Sequence, residues 1–156
     1  MTPQEEDIFF MKAAIYEAQQ AFAADEIPVG AVVMVDGKIV ARGHNLTQTL
    51  NDATAHAEMQ VVTQASAASG GMFLPQAVLY VTLEPCVMCI SAITRSKIGR
   101  LVYAASDEKA GFSVFENYLK NSSGLSLLHP SLKISSGILS EECSALMKNF
   151  FSRRRL

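Results

Sequence analysis

A chain of 156 residues, 49% hydrophobic and 18% charged, can bury a full core without disulfide bonds, and this composition excludes a disordered protein. The length predicts a single domain over residues 1–156. A formal net charge of −2 argues against a protein that binds polyanions through overall charge, although it allows a local basic patch.

The cysteines and the N-terminus favour a cytoplasmic protein. There are three cysteines, an odd number, which indicates thiols free for metal binding or catalysis in a reducing compartment. The first ten residues, MTPQEEDIFF, have neither the basic nor the apolar segment of a signal peptide. No apolar run approaches the ~18 residues of a membrane span, so we expect no membrane association.

Apolar periodicity predicts a first helix over residues 4–24, with Ile8, Met11, Ile15, Ala18 and Phe22 on one face. A β-hairpin follows, because Asp36-Gly37 separates two apolar runs at residues 29–35 and 38–42. Gly30 is unusual inside a strand and indicates the close approach of another backbone or of a ligand.

Residues 43–54 form a long polar loop, and such loops are often functional. Residues 55–69 are then predicted to be a helix, with Asp52 or Thr54 as its N-cap. His56 and Glu58 would lie in the first turn of this helix.

The second half predicts a βαβ unit, with a buried strand at 78–83, a helix at 86–97 opened by Pro85, and a parallel strand at 101–104. A loop at 105–113, a short helix at 114–121, a weak strand at 132–136 and a last helix at 140–155 complete the chain. The fold class is therefore α/β, a three-layer sandwich in which helices cover both faces of a mixed five-stranded sheet.

Two short motifs carry the chemistry, His56-Ala57-Glu58 and Pro85-Cys86-Val87-Met88-Cys89. Cys86 and Cys89 lie on one helical face, in a first turn where the helix dipole favours thiolates. Two thiolates and the His56 imidazole give three ligands for Zn²⁺ and leave a fourth position for water, which is the catalytic arrangement. The metal lowers the pKa of that water, and Glu58 is placed to carry its proton.

Three other interpretations remain open for these residues. Pro-Cys-x-x-Cys is also found in redox dithiols. A closed structural zinc site would need a fourth ligand, for which the candidates are His44, His129 and Cys143. Otherwise the two histidines are ordinary loop residues and Cys143 is a small buried hydrophobe, while Glu58 alone would be a solvated helix carboxylate.

The joint pattern His-x-Glu and Pro-Cys-x-x-Cys is that of the zinc nucleobase deaminases. The chain resembles the bacterial tRNA adenosine deaminase family over nearly its whole length. The resemblance is carried by IPVGAVV at 27–33, ARGHN at 41–45, TAHAE at 54–58, LYVTLEPCVMC at 79–89 and GILSEECSALMKNFF at 137–151.

The resemblance implies a cytidine deaminase-like fold, one zinc ion held by His56, Cys86 and Cys89, and Glu58 as proton shuttle. It further implies a homodimer that acts on a tRNA anticodon loop. The implied substrate contacts are Asn45, Ala57, Glu84, Pro85 and Cys86 around the base, the last four through backbone groups, Asp107 and Lys109 beside the flanking RNA, and Arg153, Arg154 and Arg155 on phosphates.

The chain departs from that family at Ala104, where glycine is usual, and at the bulkier run of residues 112–115, Phe-Ser-Val-Phe. These departures lie around the loop that frames the RNA. They leave three hypotheses: deamination of adenosine at the tRNA wobble position, deamination of a free base or nucleoside (guanine, cytosine or adenine), and a zinc-stabilised RNA-binding protein without catalysis.

Overall fold

The computed structural model describes residues 1–154, and its centre is a five-stranded mixed sheet in the order β2-β1-β3-β4-β5. The strands are β1 (Gly30–Val35), β2 (Lys38–His44), β3 (Val78–Leu83), β4 (Arg100–Ala105) and β5 (Lys133–Ser136). β1 pairs antiparallel with both β2 and β3, whereas β3, β4 and β5 run parallel. The predicted hairpin and the predicted parallel pair are both confirmed.

Helices cover both faces of this sheet, which confirms the three-layer prediction. They are α1 (Pro3–Ala23), α2 (Ala57–Ser69), α3 (Val87–Arg95), α4 (Phe112–Ser123) and α5 (Ser140–Arg154). One core cluster joins α1 and α5 to the sheet through residues such as Met11, Tyr80 and Cys143. The other joins α2 and α3 to the opposite face through residues such as Val61 and Ile90.

Helix α1 lies directly on β1 at Gly30. A Cβ atom at this position would stand 2.1 Å from the Ala14 carbonyl oxygen and 2.4 Å from the Ala18 nitrogen. The predicted close approach is therefore made by the backbone of α1. This contact also turns the buried face of α1 toward Phe10, Ala14 and Ala18, so that Ile8 and Phe22 are only half-buried.

The starts of α2 and α3 differ from the prediction. The N-cap of α2 is His56 and not Asp52 or Thr54, because the Asp52 carboxylate instead accepts hydrogen bonds from the Thr54 N–H and hydroxyl at 2.8 and 2.7 Å. The N-cap of α3 is Cys86, so Pro85 precedes the helix and does not open it. Both ligand-bearing N-caps have extended backbone, which lets their side chains leave the helix axis.

The remaining boundaries differ by one or two residues in either direction; α3 ends at Arg95 and not at residue 97, and β1 begins at Gly30 and not at residue 29. β2 continues to His44, two residues beyond the predicted end, and α4 begins at Phe112 and ends at Ser123. Within residues 1–154, no helix combines the length and the apolar character that a bilayer crossing requires.

The packing of α1 on β1 makes Gly30→Ala a strong test of the fold. The added methyl group would collide with backbone atoms that cannot rotate away, so we expect the free energy of unfolding to fall by about 3 kcal/mol or more. Urea denaturation followed by circular dichroism measures this. Gly71→Ala is the control, because nothing lies within 4 Å of its added Cβ. Equal stability of the two variants would contradict the proposed packing.

Candidate active site

A cavity of about 800 Å³ opens where β3 and β4 end and α2 and α3 begin. Parallel strands place their carboxyl ends at the same edge of a sheet, and this edge is where α/β proteins bind ligands. The cavity wall contains residues of both predicted motifs, with Cys86 from the second. It is lined at its base by Asn45, His56, Ala57, Glu58, Glu84 and Cys86.

The structure brings His56, Cys86 and Cys89 together, with their ligand atoms within 4.8 Å of one another. His56 Nδ1 lies 3.8 Å from Cys86 Sγ and 3.5 Å from Cys89 Sγ. Ordinary Zn–N and Zn–S bonds at a tetrahedral angle place nitrogen and sulfur about 3.6 Å apart. The three side chains therefore fit a single zinc ion, with one coordination position left for a molecule from the cavity.

The two thiols interact electrostatically with each other and with the imidazole. Hydrogen bonds from Cys89 and from His56 lower the pKa of Cys86 to about 4. The hydrogen bond to the Cys86 sulfur and burial raise the pKa of Cys89, and the hydrogen bond to Cys86 raises the pKa of His56. A thiolate is therefore present at neutral pH, and a bound dication would displace the remaining proton.

Among residues 1–154, none of the three candidates joins His56, Cys86 and Cys89 as the fourth protein ligand of a closed zinc site. His44 Nδ1 lies 3.2 Å from Glu17 Oε1, and His129 Nε2 lies 3.0 Å from the carbonyl of Ile98. Cys143 is buried in the core cluster between the sheet and α5, as expected of a small hydrophobe. Contact of the imidazole with both sulfurs also favours metal binding over a simple redox dithiol.

Glu58 lies one residue inside α2 and faces the cavity, although its side chain is only 4% exposed. Burial raises the pKa of Glu58 to about 7. A carboxyl group with such a pKa can both accept and donate a proton near neutral pH. Glu58 is therefore not the solvated helix carboxylate that the sequence also allowed.

Asn45 and Ala57 lie on the cavity wall near these groups. Asn45 is buried, and its Oδ1 accepts a hydrogen bond from the Thr47 N–H at 3.2 Å, which orients the amide. Ala57 is the first residue of α2, where backbone N–H groups lack partners within the helix. Both residues can therefore present hydrogen-bond donors to a planar base.

The loop between β4 and α4, residues 106–111, forms the outer wall. Asp107 Oδ1 accepts hydrogen bonds from the Lys109 and Ala110 N–H groups, both at 3.1 Å, so its carboxylate shapes the loop itself. Lys109 is exposed at the rim of the cavity. The predicted contacts of both residues with RNA stay predictions.

The two C-terminal arginines lie outside the cavity wall. The Arg153 guanidinium stacks 5.1 Å from the ring centroid of Phe22. Arg154 donates to the Asp25 carbonyl at 2.6 Å and pairs with its carboxylate at 2.9 Å. Arg155 lies outside the described residues, and the phosphate contacts of all three arginines stay predictions.

Helix α5 forms a part of the cavity wall that was not predicted from the sequence, through Ser144, Met147, Lys148 and Phe151. Their spacing of three and four residues is the signal that could have identified this face. For Glu84 the family resemblance implies only a backbone role, whereas its carboxylate accepts hydrogen bonds from Asp107 and Ser113.

The bulky run at 112–115 divides between core and surface. Phe112 is buried and packs edge-on against Tyr103, with ring centroids 6.1 Å apart. Phe115 is exposed and does not line the cavity. Ala104 is buried in the core cluster on the α1 and α5 side of the sheet. None of these side chains obstructs the cavity.

Comparison with known proteins places this site in a family. The family model of the MafB19-like deaminases matches residues 4–155. A tRNA-specific adenosine deaminase of Agrobacterium fabrum is 43% identical over 147 residues, which cover 94% of this chain and 95% of that protein. A tRNA-specific adenosine deaminase of Bacillus subtilis is 41% identical, over 96% of this chain and 91% of its own length.

A solved structure from a study of A-to-I editing by tRNA deaminases at the wobble position superimposes with a TM-score of 0.80. It is 41% identical and covers 88% of this chain and 98% of its own. The chain therefore belongs to the MafB19-like deaminase family, and these relatives, similar to it over most of its length, are tRNA-specific adenosine deaminases.

Proposed function

We propose that this protein is a zinc-dependent deaminase that hydrolyses adenosine to inosine at the wobble position of a tRNA anticodon. The observation that carries the proposal is the group of His56, Cys86 and Cys89 beside the buried Glu58 at the base of the cavity. The tRNA substrate is supported by relatives that share more than two fifths of the sequence and are named for it.

In this proposal each residue has a separate task. Zinc held by the imidazole and the two thiolates would polarise a water molecule and lower its pKa. Glu58 takes a proton from that water and delivers it to the amino group at C6 of adenine. The water oxygen bonds to C6 and the C6–N bond breaks, so that one water proton leaves with the amino group as ammonia and the other ends on N1 of inosine, whose C6 is then a carbonyl. A carboxyl group whose pKa is about 7 suits both halves of this transfer.

The remaining wall orients the base. The amide of Asn45 and the free N–H groups at the start of α2 donate to acceptors on the base edge. A base reaches this depth only after leaving the stack of the anticodon loop, which single-stranded loops permit at low cost. Lys109 and Lys148, at the rim of the cavity, then face the flanking phosphates.

The cavity size favours a polynucleotide over a free base. A volume of about 800 Å³ lies in the upper part of the range for small-molecule sites. A lone nucleobase would leave the section along α5 unfilled, whereas a nucleotide with its neighbours would occupy it. Deamination of free guanine, cytosine or adenine is therefore the second candidate.

We further propose a cytoplasmic homodimer. Helix α4 exposes Val114, Phe115 and Tyr118, the last at 71% of its surface, and such an apolar face is typical of an interface between subunits. Light scattering coupled to gel filtration should give twice the chain mass. A mass of one chain at micromolar concentration would contradict the dimer.

The proposed reaction predicts inosine when the zinc-loaded protein is incubated with an arginine anticodon stem-loop that carries adenosine at the wobble position. Glu58→Gln should lower kcat at least about a thousandfold because the proton carrier is lost, and zinc content and melting temperature should be retained. Nucleoside analysis by liquid chromatography measures the product.

Two outcomes separate the candidate functions. Turnover of free bases without turnover of the stem-loop would establish the second candidate and contradict the first. Stem-loop binding without deamination, unchanged by Glu58→Gln, would indicate a non-catalytic RNA-binding protein.

The ligand set predicts one zinc ion per chain. Cys89→Ser should lower the bound zinc to below about a tenth of an equivalent after dialysis, because one of the two charge-neutralising thiolates is lost. Cys143→Ala is the matched control, since this cysteine is buried on the opposite side of the sheet and should leave zinc content unchanged. Mass spectrometry of the metal measures both; equal zinc in the two variants would contradict the proposed ligand set.

A further inference from the structure

We infer that the Glu84 carboxylate is a positioning residue that fixes the 106–111 loop against the metal-binding loop and so determines how tightly the RNA is held. This inference rests on the proposed function. The family resemblance implies that backbone groups near Glu84 contact the base. The role inferred here belongs to its side chain.

Three donors converge on the buried carboxylate of Glu84. Oε1 accepts a hydrogen bond from the Asp107 N–H at 3.0 Å. Oε2 accepts hydrogen bonds from the Ser113 N–H at 2.9 Å and from the Ser113 hydroxyl at 2.6 Å. The residue is only 4% exposed, so each donor offsets part of the cost of removing the carboxylate from water.

The start of α4 depends on this carboxylate. The N-cap position of α4 is Gly111, which has no side chain to accept from the first turn. Ser113 is the second residue of the helix, and its N–H is bonded by Glu84 from a distant part of the chain. A negative charge at a helix N-terminus is also favoured by the helix dipole.

Glycine is required at position 111 because Glu84 occupies the neighbouring space. A Cβ atom there would stand 2.3 Å from Glu84 Cδ and 2.4 Å from its Oε2. It would also stand 2.5 Å from the Asp107 carbonyl oxygen. The loop therefore closes tightly around the carboxylate.

The backbone on either side of Glu84 adds two further links. The Glu84 N–H donates to the Ala105 carbonyl at 2.8 Å, and the Phe112 N–H donates to the Pro85 carbonyl at 2.9 Å. Cys86 follows immediately in the chain. The metal-binding loop and the 106–111 loop are thus joined into one unit, with Glu84 at the junction.

This arrangement has a direct consequence for binding. Asp107 and Lys109 would meet the flanking RNA only if the 106–111 loop keeps its shape, and Glu84 holds both ends of that loop. Loosening the loop should weaken RNA binding, while the reaction at the base, which depends on Glu58 and the metal ligands, continues. The expected signature is a rise in KM with little change in kcat.

The test compares Ser113→Ala, Glu84→Gln and Ser126→Ala. Ser126 is a matched control, because its hydroxyl likewise donates to a buried carboxylate, that of Glu116, which also accepts from the Leu127 N–H at 2.8 Å. That pair lies outside the cavity wall. We expect Ser113→Ala to raise KM for the arginine anticodon stem-loop about fivefold and Glu84→Gln about tenfold, with kcat within twofold. Ser126→Ala should leave KM within twofold.

Two further measurements distinguish positioning from general stability. Hydrogen exchange at the Asp107 amide should accelerate at least about tenfold in Ser113→Ala and Glu84→Gln, and zinc content should stay at the wild-type level. Ser113→Thr, which restores the hydroxyl, should return KM to within twofold of wild type.

The outcomes are separable from those of the proposed function. If the wild-type protein forms no inosine from the stem-loop, the proposed function fails and the inference fails with it. If the wild-type protein is active, an equal KM in Ser113→Ala and Ser126→Ala overturns the inference alone. Loss of zinc together with kcat in Glu84→Gln would also overturn it, since Glu84 would then serve the metal and not the loop.

Discussion

The site depends on two helices that begin without side-chain caps. His56 and Cys86 occupy the N-cap positions of α2 and α3, and neither side chain makes a capping hydrogen bond. Serine, threonine, aspartate or asparagine at such a position typically stabilises a helix by about 1 kcal/mol. Helices α2 and α3 lack this stabilisation. Their extended N-cap backbone instead lets the imidazole and the thiol reach a common point beyond the helix ends.

Ala57, the first residue of α2, lines the cavity, so an N–H group without a partner within the helix lies at the cavity wall. Glu58 and Cys89 lie inside the first turns, where both are buried. The placement of His56, Cys86 and Cys89 beside Glu58 is thus a consequence of one constraint, the convergence of two helix N-termini at the carboxyl end of β3.

The walls around this centre are held by buried glutamates. Glu26, which is fully buried, accepts hydrogen bonds from the Gln48 and Thr49 N–H groups at 3.0 and 2.6 Å and so fixes the loop that follows Asn45. Burial opposes its charge, but the hydrogen bonds from Thr49 and Gln48 outweigh it, and the pKa of Glu26 is lowered. Its stabilisation is therefore present at neutral pH and is lost as pH falls through that lowered value.

The sequence predicts the parts of the site that lie in continuous motifs. His56, Glu58, Cys86 and Cys89 were identified from residue type and spacing, and all five strands were anticipated from apolar runs and turn residues. The predicted N-cap of α2 is wrong because residue preference favours Asp52 or Thr54, whereas the tertiary site needs His56 to end the extended segment. Propensity is a local signal, and the constraint here is set by residues thirty positions away.

The carboxylate contacts of Glu84 could not be derived in the same way. Its partners lie 23 and 29 residues further along the chain, and nothing in the motif Leu-Glu-Pro-Cys distinguishes a side chain that accepts from a distant loop. The sequence also does not indicate that position 111 must be glycine, because this requirement arises from the space that the Glu84 side chain occupies. Such pairs become visible only when the topology brings the ends of β3 and β4 side by side.

Helix α5 shows how one amphipathic pattern can serve two purposes. Cys143 and Phe150 are buried in the fold, whereas Met147 and Phe151 line the cavity a fraction of a turn away. The arginines at the end of the helix contact the end of α1, and the pair between Arg154 and Asp25 is largely exposed. Because exposed ion pairs contribute about 0–1 kcal/mol, a phosphate could displace Asp25 from Arg154 at little cost. The observed pairing is therefore compatible with a role for this arginine in RNA binding, and α5 links the core, the cavity and the surface where the RNA would arrive.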